Sequence, residues 1–145
     1  MRERLEGLAA RLAANRMSAE EIQTLKAHIE LHAEEFKRGN RLNEFDFDVN
    51  LHISILKSSN SPKLRQIVEQ LISQIQRIMI MTPERIDEAI KEHRSILEAL
   101  SQRDPDLAEA SMVAHIRRSA AALRNYYQNI KESGNVLGGN FPVNL

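Results

Sequence analysis

The sequence predicts an all-α fold, an antiparallel bundle of about six helices. Apolar residues recur at steps of three and four along most of the chain, which is the spacing of one face of an α-helix. The alternation typical of strands is nearly absent, and aromatic residues, which strands favour, make up only 4% of the chain. The connections between the predicted helices are short, so consecutive helices should pack antiparallel.

Residues at the predicted helix ends have the chemistry that capping requires. Ser18, with Glu21 three residues later, forms a capping box at the start of the second helix. Gly39 stands where the end of that helix needs a left-handed residue. Three further starts have a capping side chain followed by proline, at Ser61, Thr82 and Asp104. The predicted helices span residues 2–15, 18–38, 42–58, 62–81, 83–102 and 105–131.

The two ends of the chain lead to separate expectations. The apolar stripe of the first helix, Leu5, Leu8 and Leu12 with Ala9 and Ala13 filling in, begins almost at residue 1 with no capping residue ahead of it. We therefore expect the chain to be a piece of a longer protein, with a short native N-terminus as the alternative. Residues 133–145 contain three glycines and a proline, so we expect an irregular C-terminal arm after a helical domain of residues 1–132.

Composition excludes several classes of function. The chain has 145 residues, enough for one domain with a core, and its 20 basic and 20 acidic residues cancel. Binding to nucleic acid phosphates requires a basic excess, so we do not expect this chain alone to bind DNA or RNA. Cysteine is absent, which excludes disulfides and thiolate sites and fits a cytoplasmic protein. There is no signal-peptide core, and no apolar run approaches the roughly 18 residues of a membrane span.

Three predicted helices each place a histidine inside an apolar stripe. His52, His93 and His115 lie centrally in the stripes of the third, fifth and sixth helices. Asp48 precedes His52 by one turn, and residues four apart on a helix lie side by side. A buried carboxylate is costly without a partner, and three imidazoles with one carboxylate suit a divalent metal. The alternative is that each histidine is satisfied separately in a helical core, because sequence does not reveal convergence in space.

Other candidate sites are weaker. His28 and His32 lie four residues apart on the second helix with Glu35 nearby, a spacing that suits a metal, but His28 stands near the edge of the stripe, so we interpret the pair as surface or boundary residues. Glu92 directly precedes His93, but adjacent helical residues point about 100° apart, so the two should not form a dyad. The motifs HExxH and G-x-S-x-G and a glycine-rich phosphate loop are absent.

Two stretches of the chain resemble a known family. "DVNLHISILKSSNSPKL" and "EHRSILEALSQRDPDLAEASMVAHI" are similar to the effector-binding domain of GntR-type transcription regulators of the FadR subfamily, called the FCD domain. Leu51 stands where that family often has phenylalanine, a conservative apolar change. The matching positions are Asp48, His52, Ser58, Asn60, Leu64, Glu92, His93, Ile96, Leu97, Ala99, Leu100, Asp104, Ala108, Met112 and His115.

The resemblance implies a metal-dependent sensor of small carboxylates. It implies one divalent ion per chain, which would be zinc, nickel or manganese. Four protein ligands would complete a tetrahedral zinc site, whereas octahedral nickel or manganese would keep two positions for water or an effector carboxylate. Arg2 would pair with that carboxylate, and Arg65 is a weaker candidate. The implied metal ligands are Asp48, His52, His93 and His115.

The resemblance also implies partners and leaves two rival functions. Family members carry a winged helix-turn-helix domain ahead of the ligand-binding domain, so DNA would be bound only through that absent domain, by a homodimer. We therefore expect a sensor domain at residues 1–132 and not an enzyme. One rival is a metal-dependent helical hydrolase, since such a site can activate water, although no additional general base is obvious. The other is a metal-free helical interaction module, which metal analysis would identify.

Overall fold

The computed structural model describes residues 1–39, 44–70 and 82–133, and these ranges are helical with no strand. The all-α prediction is therefore confirmed. The elements are α1 (Arg2–Ala14), α2 (Ala19–Lys37), α3 (Glu44–Ser58), α4 (Pro62–Glu69), a 3₁₀ turn (Pro83–Arg85), α5 (Ile86–Ser101) and α6 (Pro105–Glu132). The predicted arm, apart from its first residue, lies outside the described residues, as do residues 71–81 of the predicted fourth helix.

Most of the predicted caps are present. The Oγ of Ser18 accepts a hydrogen bond from the backbone N–H of Glu21 at 3.1 Å, and the carboxylate of Glu21 accepts one from the N–H of Ser18 at 2.8 Å. The side chains of Ser61 and Asp104 cap α4 and α6, each with proline at the first helical position. Gly39 has a φ of 80°, the left-handed conformation expected after α2.

The start of α5 differs from the prediction. The backbone N–H of Arg85 donates to the carbonyl of Thr82 at 3.1 Å, a bond that spans three residues and closes a 3₁₀ turn. The α-helix itself begins only at Ile86, and Arg85 makes no side-chain cap. The Thr82–Pro83 signal therefore starts the turn ahead of α5, and the helix begins three residues later than predicted.

The buried face of α1 is formed mostly by small residues, including Ala9 and Ala13 of the predicted stripe, and not by the leucines of that stripe. Leu8 is 41% exposed, whereas Leu5 and Leu12 are partly buried. A Cβ added to Gly7 would lie 2.7 Å from Cγ2 of Val113, so α1 and α6 approach too closely for large side chains at this point. The buried residues of α1 are Glu6, Gly7, Ala9, Ala10, Ala13 and Ala14.

Helix α1 also contacts four other helices, α3, α4, α5 and α6. The guanidinium of Arg103, a residue with a φ of 57°, donates to the carbonyl of Ala14 at 3.1 Å and to that of Met17. This side chain from the loop after α5 therefore satisfies carbonyls at the C-terminal end of α1. None of the helices in the described ranges is both long and apolar enough to cross a membrane.

The large apolar side chains of the core come from α2 to α6 and the segment after α1. Helix α2 packs on α3 and α5, and α5 packs on α6. The stripes predicted for α5 and α6 face this core, so His93 and His115 lie in its interior, together with His52 of α3. The largest fully buried apolar residues are Met17, Ile22, Ile29, Leu51, Ile55, Leu56, Ile96, Leu97, Leu100 and Met112.

Replacing Gly7 with alanine should destabilise the protein. Alanine in an open helical position is more stable than glycine by roughly 1 kcal/mol. At Gly7, however, the new Cβ would clash with Val113, whose branched side chain has little freedom in a helix. We expect Gly7→Ala to lower the free energy of unfolding by about 1–3 kcal/mol, measured by urea denaturation.

The matched control for this prediction is the double variant Gly7→Ala with Val113→Ala. Removing the Cγ atoms of Val113 creates room for the new Cβ. The double variant should therefore be more stable than Gly7→Ala alone. A single variant that is more stable than the wild type would contradict the close approach of α1 and α6.

Candidate metal centre

Four side chains from three helices meet in the interior of the bundle. Asp48 and His52 belong to α3, His93 to α5 and His115 to α6, and all four are buried. One ligand-type atom from each lies within 4.8 Å of the others. The ring centroids of His93 and His115 are 4.6 Å apart, and those of His52 and His115 are 5.3 Å apart. The structure therefore brings together the four side chains that the sequence singled out.

The carboxylate of Asp48 is the shared point of this cluster. Its Oδ1 lies 3.0 Å from Nε2 of His93 and 3.9 Å from Nε2 of His52. Burial acts to raise the pKa of Asp48, but the hydrogen bond from His93 and the charges of the histidines outweigh burial and hold that pKa well below its usual range. Asp48 is therefore an ionised carboxylate in a buried position.

A second buried carboxylate, Glu6 of α1, lies against His52. Glu6 is 1% exposed, and its Oε2 contacts Nδ1 of His52. Its Oε1 accepts a hydrogen bond from Nε of Arg2 at 2.7 Å. Burial acts to raise the pKa of Glu6, but the charges of His52 and Arg2 outweigh it and lower the pKa to about 2. Glu6 is thus ionised and paired on both of its oxygens.

A third carboxylate, Glu92, occupies the same position relative to His115. Its Oε2 lies 2.8 Å from Nδ1 of His115 and 2.6 Å from Nη2 of Arg85, and its Oε1 lies 3.3 Å from Nη1 of Arg118. Burial and the positive charges of neighbouring histidines lower the pKa of His115 to about 4, although the hydrogen bond that His115 donates to Glu92 opposes them. His115 is therefore neutral at physiological pH.

The roles of Glu6 and Glu92 were missed from the sequence. The sequence indicated that Glu92 does not pair with its neighbour His93, but it did not reveal that Glu92 contacts His115 of α6. In the sequence, Glu6 lies between the leucines that were predicted to form the buried stripe. One local signal existed, because Arg2 and Glu6 have the i, i+4 spacing of a helical ion pair.

The second histidine pair divides between surface and interior. His28 is exposed, as predicted, but His32 is only 7% exposed. The pKa of His32 is lowered by burial and then by the charge of His93. The interpretation of His32 as a surface or boundary residue is therefore wrong, because α2 packs on α3 and α5 with this side chain facing inward.

The two candidate effector arginines lie in different environments. The side chain of Arg2 is 12% exposed, and its charge acts on His52. The side chain of Arg65 on α4 is 51% exposed, with Nε 3.5 Å from Oε1 of Glu69. Arg2 is thus adjacent to the cluster, and Arg65 is on the protein surface.

The donor set of the cluster fits a divalent metal ion. Imidazole nitrogens together with a carboxylate oxygen suit zinc, nickel and manganese. The Nε2 of His52 is buried and makes no hydrogen bond within the described part of the chain. A buried polar atom without a partner is costly, and a metal ion would satisfy this nitrogen. Asp48, His52, His93 and His115 are the residues able to hold such an ion.

Known proteins resemble this chain in sequence and fold. The FCD domain family matches residues 1–118. A probable D-xylose utilization operon transcriptional repressor of Paenarthrobacter nicotinovorans is 31% identical over 120 residues, which cover 80% of this chain and 52% of the relative. A solved structure of Streptococcus agalactiae GntR has a TM-score of 0.67 at 22% identity and covers 81% of this chain and 53% of that one, a likeness that shows the fold alone.

The chain therefore spans about half the length of the curated relative and of the solved structure that it matches. The family match includes every member of the buried cluster, from Glu6 of α1 to His115 of α6. The resemblance of the two quoted stretches to GntR-type regulators is confirmed: the chain belongs to the FCD domain family.

Proposed function

We propose that this chain is the effector-sensing domain of a transcription regulator and that it binds a small carboxylate at a divalent metal ion. The observation that carries the proposal is the buried convergence of Asp48, His52, His93 and His115, whose ligand-type atoms lie within 4.8 Å of one another. Membership of the FCD family and the relative that is a probable repressor support the regulatory part.

The charges around the cluster favour an anionic effector. A divalent ion would supply a buried positive charge to which a carboxylate oxygen can bind. Asp48 would neutralise one of its two charges, whereas Glu6 is already paired with Arg2, and Glu92 with two arginines. One positive charge would therefore remain uncompensated in the core, where an unpaired charge is costly. A monocarboxylate would neutralise it.

We assign the second contact of the effector to Arg2. The guanidinium of Arg2 uses Nε to hold Glu6, which leaves its two terminal nitrogens for another carboxylate oxygen. Arg65 remains the weaker candidate because it is half exposed and paired with Glu69 on its own helix. Nickel and manganese would keep coordination positions for an effector, whereas a tetrahedral zinc would use all of its positions on the four side chains.

In this proposal DNA is bound by a separate winged helix-turn-helix domain of a homodimeric, cytoplasmic regulator. The zero net charge of this chain supports that division, because phosphate binding depends on a basic surface. The relative that is a probable repressor is about twice as long as the segment it shares with this chain. A dimer with two-fold symmetry is expected because operator half-sites are usually related by two-fold symmetry.

Purified protein should contain one divalent ion per chain, and the double variant His93→Ala, His115→Ala should contain almost none. The double variant removes two of the four ligand side chains from two different helices. Elemental analysis of protein purified without a histidine tag gives the metal content. His28→Ala is the control, because His28 is exposed on α2 and should not affect binding. Full metal content in the double variant would contradict the proposed site.

Metal affinity should fall as the pH is lowered. Burial acts to lower the pKa of His52, but the carboxylate of Glu6 outweighs burial and raises it, so a proton competes with the ion at a higher pH than it would for a free histidine. His115, with its pKa near 4, should add a second competing proton only in more acidic solution. The apparent Kd, measured by chelator competition from pH 8 to 5, should rise about tenfold per unit below the pKa of His52. A constant Kd across this range would contradict the assignment of His52.

A small carboxylate should stabilise the metal-loaded protein and hardly affect the metal-free protein. At a hundredfold excess over Kd, mass action gives about 2.7 kcal/mol, which is a rise of several degrees in Tm for a domain of this size. Thermal denaturation with a panel of carboxylates measures this rise. His52→Ala should abolish it and His28→Ala should not. An equal rise in the Tm of the metal-free protein would show that the effector does not bind at the metal.

Conservative variants compare the two arginines. Arg2→Lys keeps a positive charge beside Glu6 but removes the planar fork, so it should weaken the carboxylate effect severalfold in Kd. Arg65→Lys makes the same change at an exposed position and should leave the effect intact. If Arg65→Lys weakened the carboxylate effect and Arg2→Lys did not, the effector contact would be assigned to Arg65.

A further inference from the structure

We infer that Glu6 and Glu92 are positioning residues for the metal, each of which fixes one imidazole ligand in the orientation and tautomer that binding requires. This inference rests on the proposed function, because it concerns how the ion would be held. Neither carboxylate belongs to the group of four ligands. Each instead contacts Nδ1 of one ligand histidine from the side away from its Nε2.

The Glu6 contact determines which nitrogen of His52 is available. A neutral imidazole carries one proton, and the carboxylate at Nδ1 favours the tautomer with the proton on Nδ1. The Nε2 of His52 is then unprotonated, and this atom lies 3.9 Å from Oδ1 of Asp48. Glu6 thus turns the free lone pair of His52 toward the other ligands, which is the effect that carboxylates behind metal-binding histidines commonly have.

Glu92 has the same relation to His115 from a different helix. Its Oε2 accepts from Nδ1 of His115 at 2.8 Å, which leaves Nε2 of that ring as the nitrogen for an ion. His93, in contrast, has Nε2 directed at Asp48 itself, at 3.0 Å. The inference therefore applies to His52 and His115, whose Nδ1 atoms both contact a glutamate on another helix.

Arginines fix both glutamates in place. Arg2 donates to Oε1 of Glu6 at 2.7 Å while Oε2 contacts His52, so the carboxylate is bound on both oxygens. Arg85, in the turn before α5, donates to Glu92 at 2.6 Å. A carboxylate bound on two sides cannot rotate freely, and it keeps its negative charge despite burial. These pairs explain why α1, which supplies no ligand, has a buried glutamate among its alanines and glycine.

The first test compares four glutamate-to-glutamine variants. Glu6→Gln and Glu92→Gln keep the side-chain shape but remove the charge that favours the required tautomer. Glu3→Gln and Glu98→Gln are matched controls on the same two helices, because these glutamates form ion pairs with Arg117 and Lys26 at the protein surface. The measurement is the Kd for Zn²⁺ by competition with a chromogenic chelator, and circular dichroism confirms that each variant is folded.

We expect Glu6→Gln and Glu92→Gln to weaken Zn²⁺ binding about 10- to 100-fold, and the controls to change it less than about twofold. If the wild type binds no divalent ion, the proposed function fails. If the wild type binds Zn²⁺ and the two variants bind it as tightly, only the positioning role is overturned. The two failures are therefore distinguished by the wild-type measurement.

A second test uses the wild-type protein and does not depend on a variant that folds. In ¹⁵N-histidine-labelled protein loaded with Zn²⁺, long-range ¹H–¹⁵N spectra report which ring nitrogen of each histidine is protonated. We expect His52 and His115 to be protonated at Nδ1. Protonation at Nε2 of either ring would overturn the inference for that ring and its glutamate.

The same spectra separate positioning from a general loss of stability. Glu6→Gln should perturb the ring resonances of His52 more than those of His115, and Glu92→Gln should do the reverse. A purely structural defect would perturb both rings alike in both variants. That result would overturn the assignment of each glutamate to its own histidine.

Discussion

The burial of the Asp48 carboxylate is the constraint on which the rest of the interior depends. Removing an ionised carboxylate from water costs several kcal/mol even after the protein relaxes. In this bundle, the compensation comes from Nε2 of His93 at 3.0 Å and of His52 at 3.9 Å, on two different helices. Helices α3 and α5 therefore pack with their imidazoles turned toward one oxygen. The inward orientation of His93 is thus linked to Asp48, and that of His52 to both Asp48 and Glu6.

The same requirement extends outward through α1 and α6. An imidazole that faces inward through Nε2 has a second nitrogen, Nδ1, which contacts Glu6 in His52 and is hydrogen-bonded to Glu92 in His115. Each glutamate in turn requires a cation. Glu6 has Arg2, and Glu92 has Arg85 and Arg118, the last of which is largely exposed. Positive and negative side chains thus alternate from Asp48 outward to the protein surface, where water solvates a charge and no partner is needed.

The position of Glu6 depends on the small residues around it. Alanine and glycine let α1 come close to α6, as the 2.7 Å approach of a Cβ at Gly7 to Val113 shows. A glutamate on such a helix can reach a histidine on α3 while the helix stays packed against α6. Leucines on the buried face of α1 would hold this helix farther from α6. Of the three leucines, Leu8 is exposed, and Leu5 and Leu12 are only partly buried against the core.

Local chemistry was predictable from the sequence, and cross-helix chemistry was not. The capping box at Ser18 and the Asp48–His52 spacing depend only on residues a few positions apart, so the sequence predicted them correctly. The buried face of α1 depends on how closely α6 approaches, and the burial of His32 depends on where α2 packs. Neither distance is encoded in the periodicity of one helix. The inward stripe of α5 was predictable because large apolar residues mark it, and that of α6 because Ala108, Met112 and His115 recur at helical spacing.

The charge balance of the core connects the ion to the effector in the proposed function. Without an ion, a proton on His52 would offset the negative charge of Asp48, and the pKa of His52 is raised despite burial because Glu6 lies beside it. Exchanging that proton for a divalent ion would add one positive charge to a region shielded from water. An anion that enters afterwards removes this excess, so it favours the loaded state over the empty one. By thermodynamic reciprocity, an effector that binds more tightly when the ion is present must also make the ion bind more tightly.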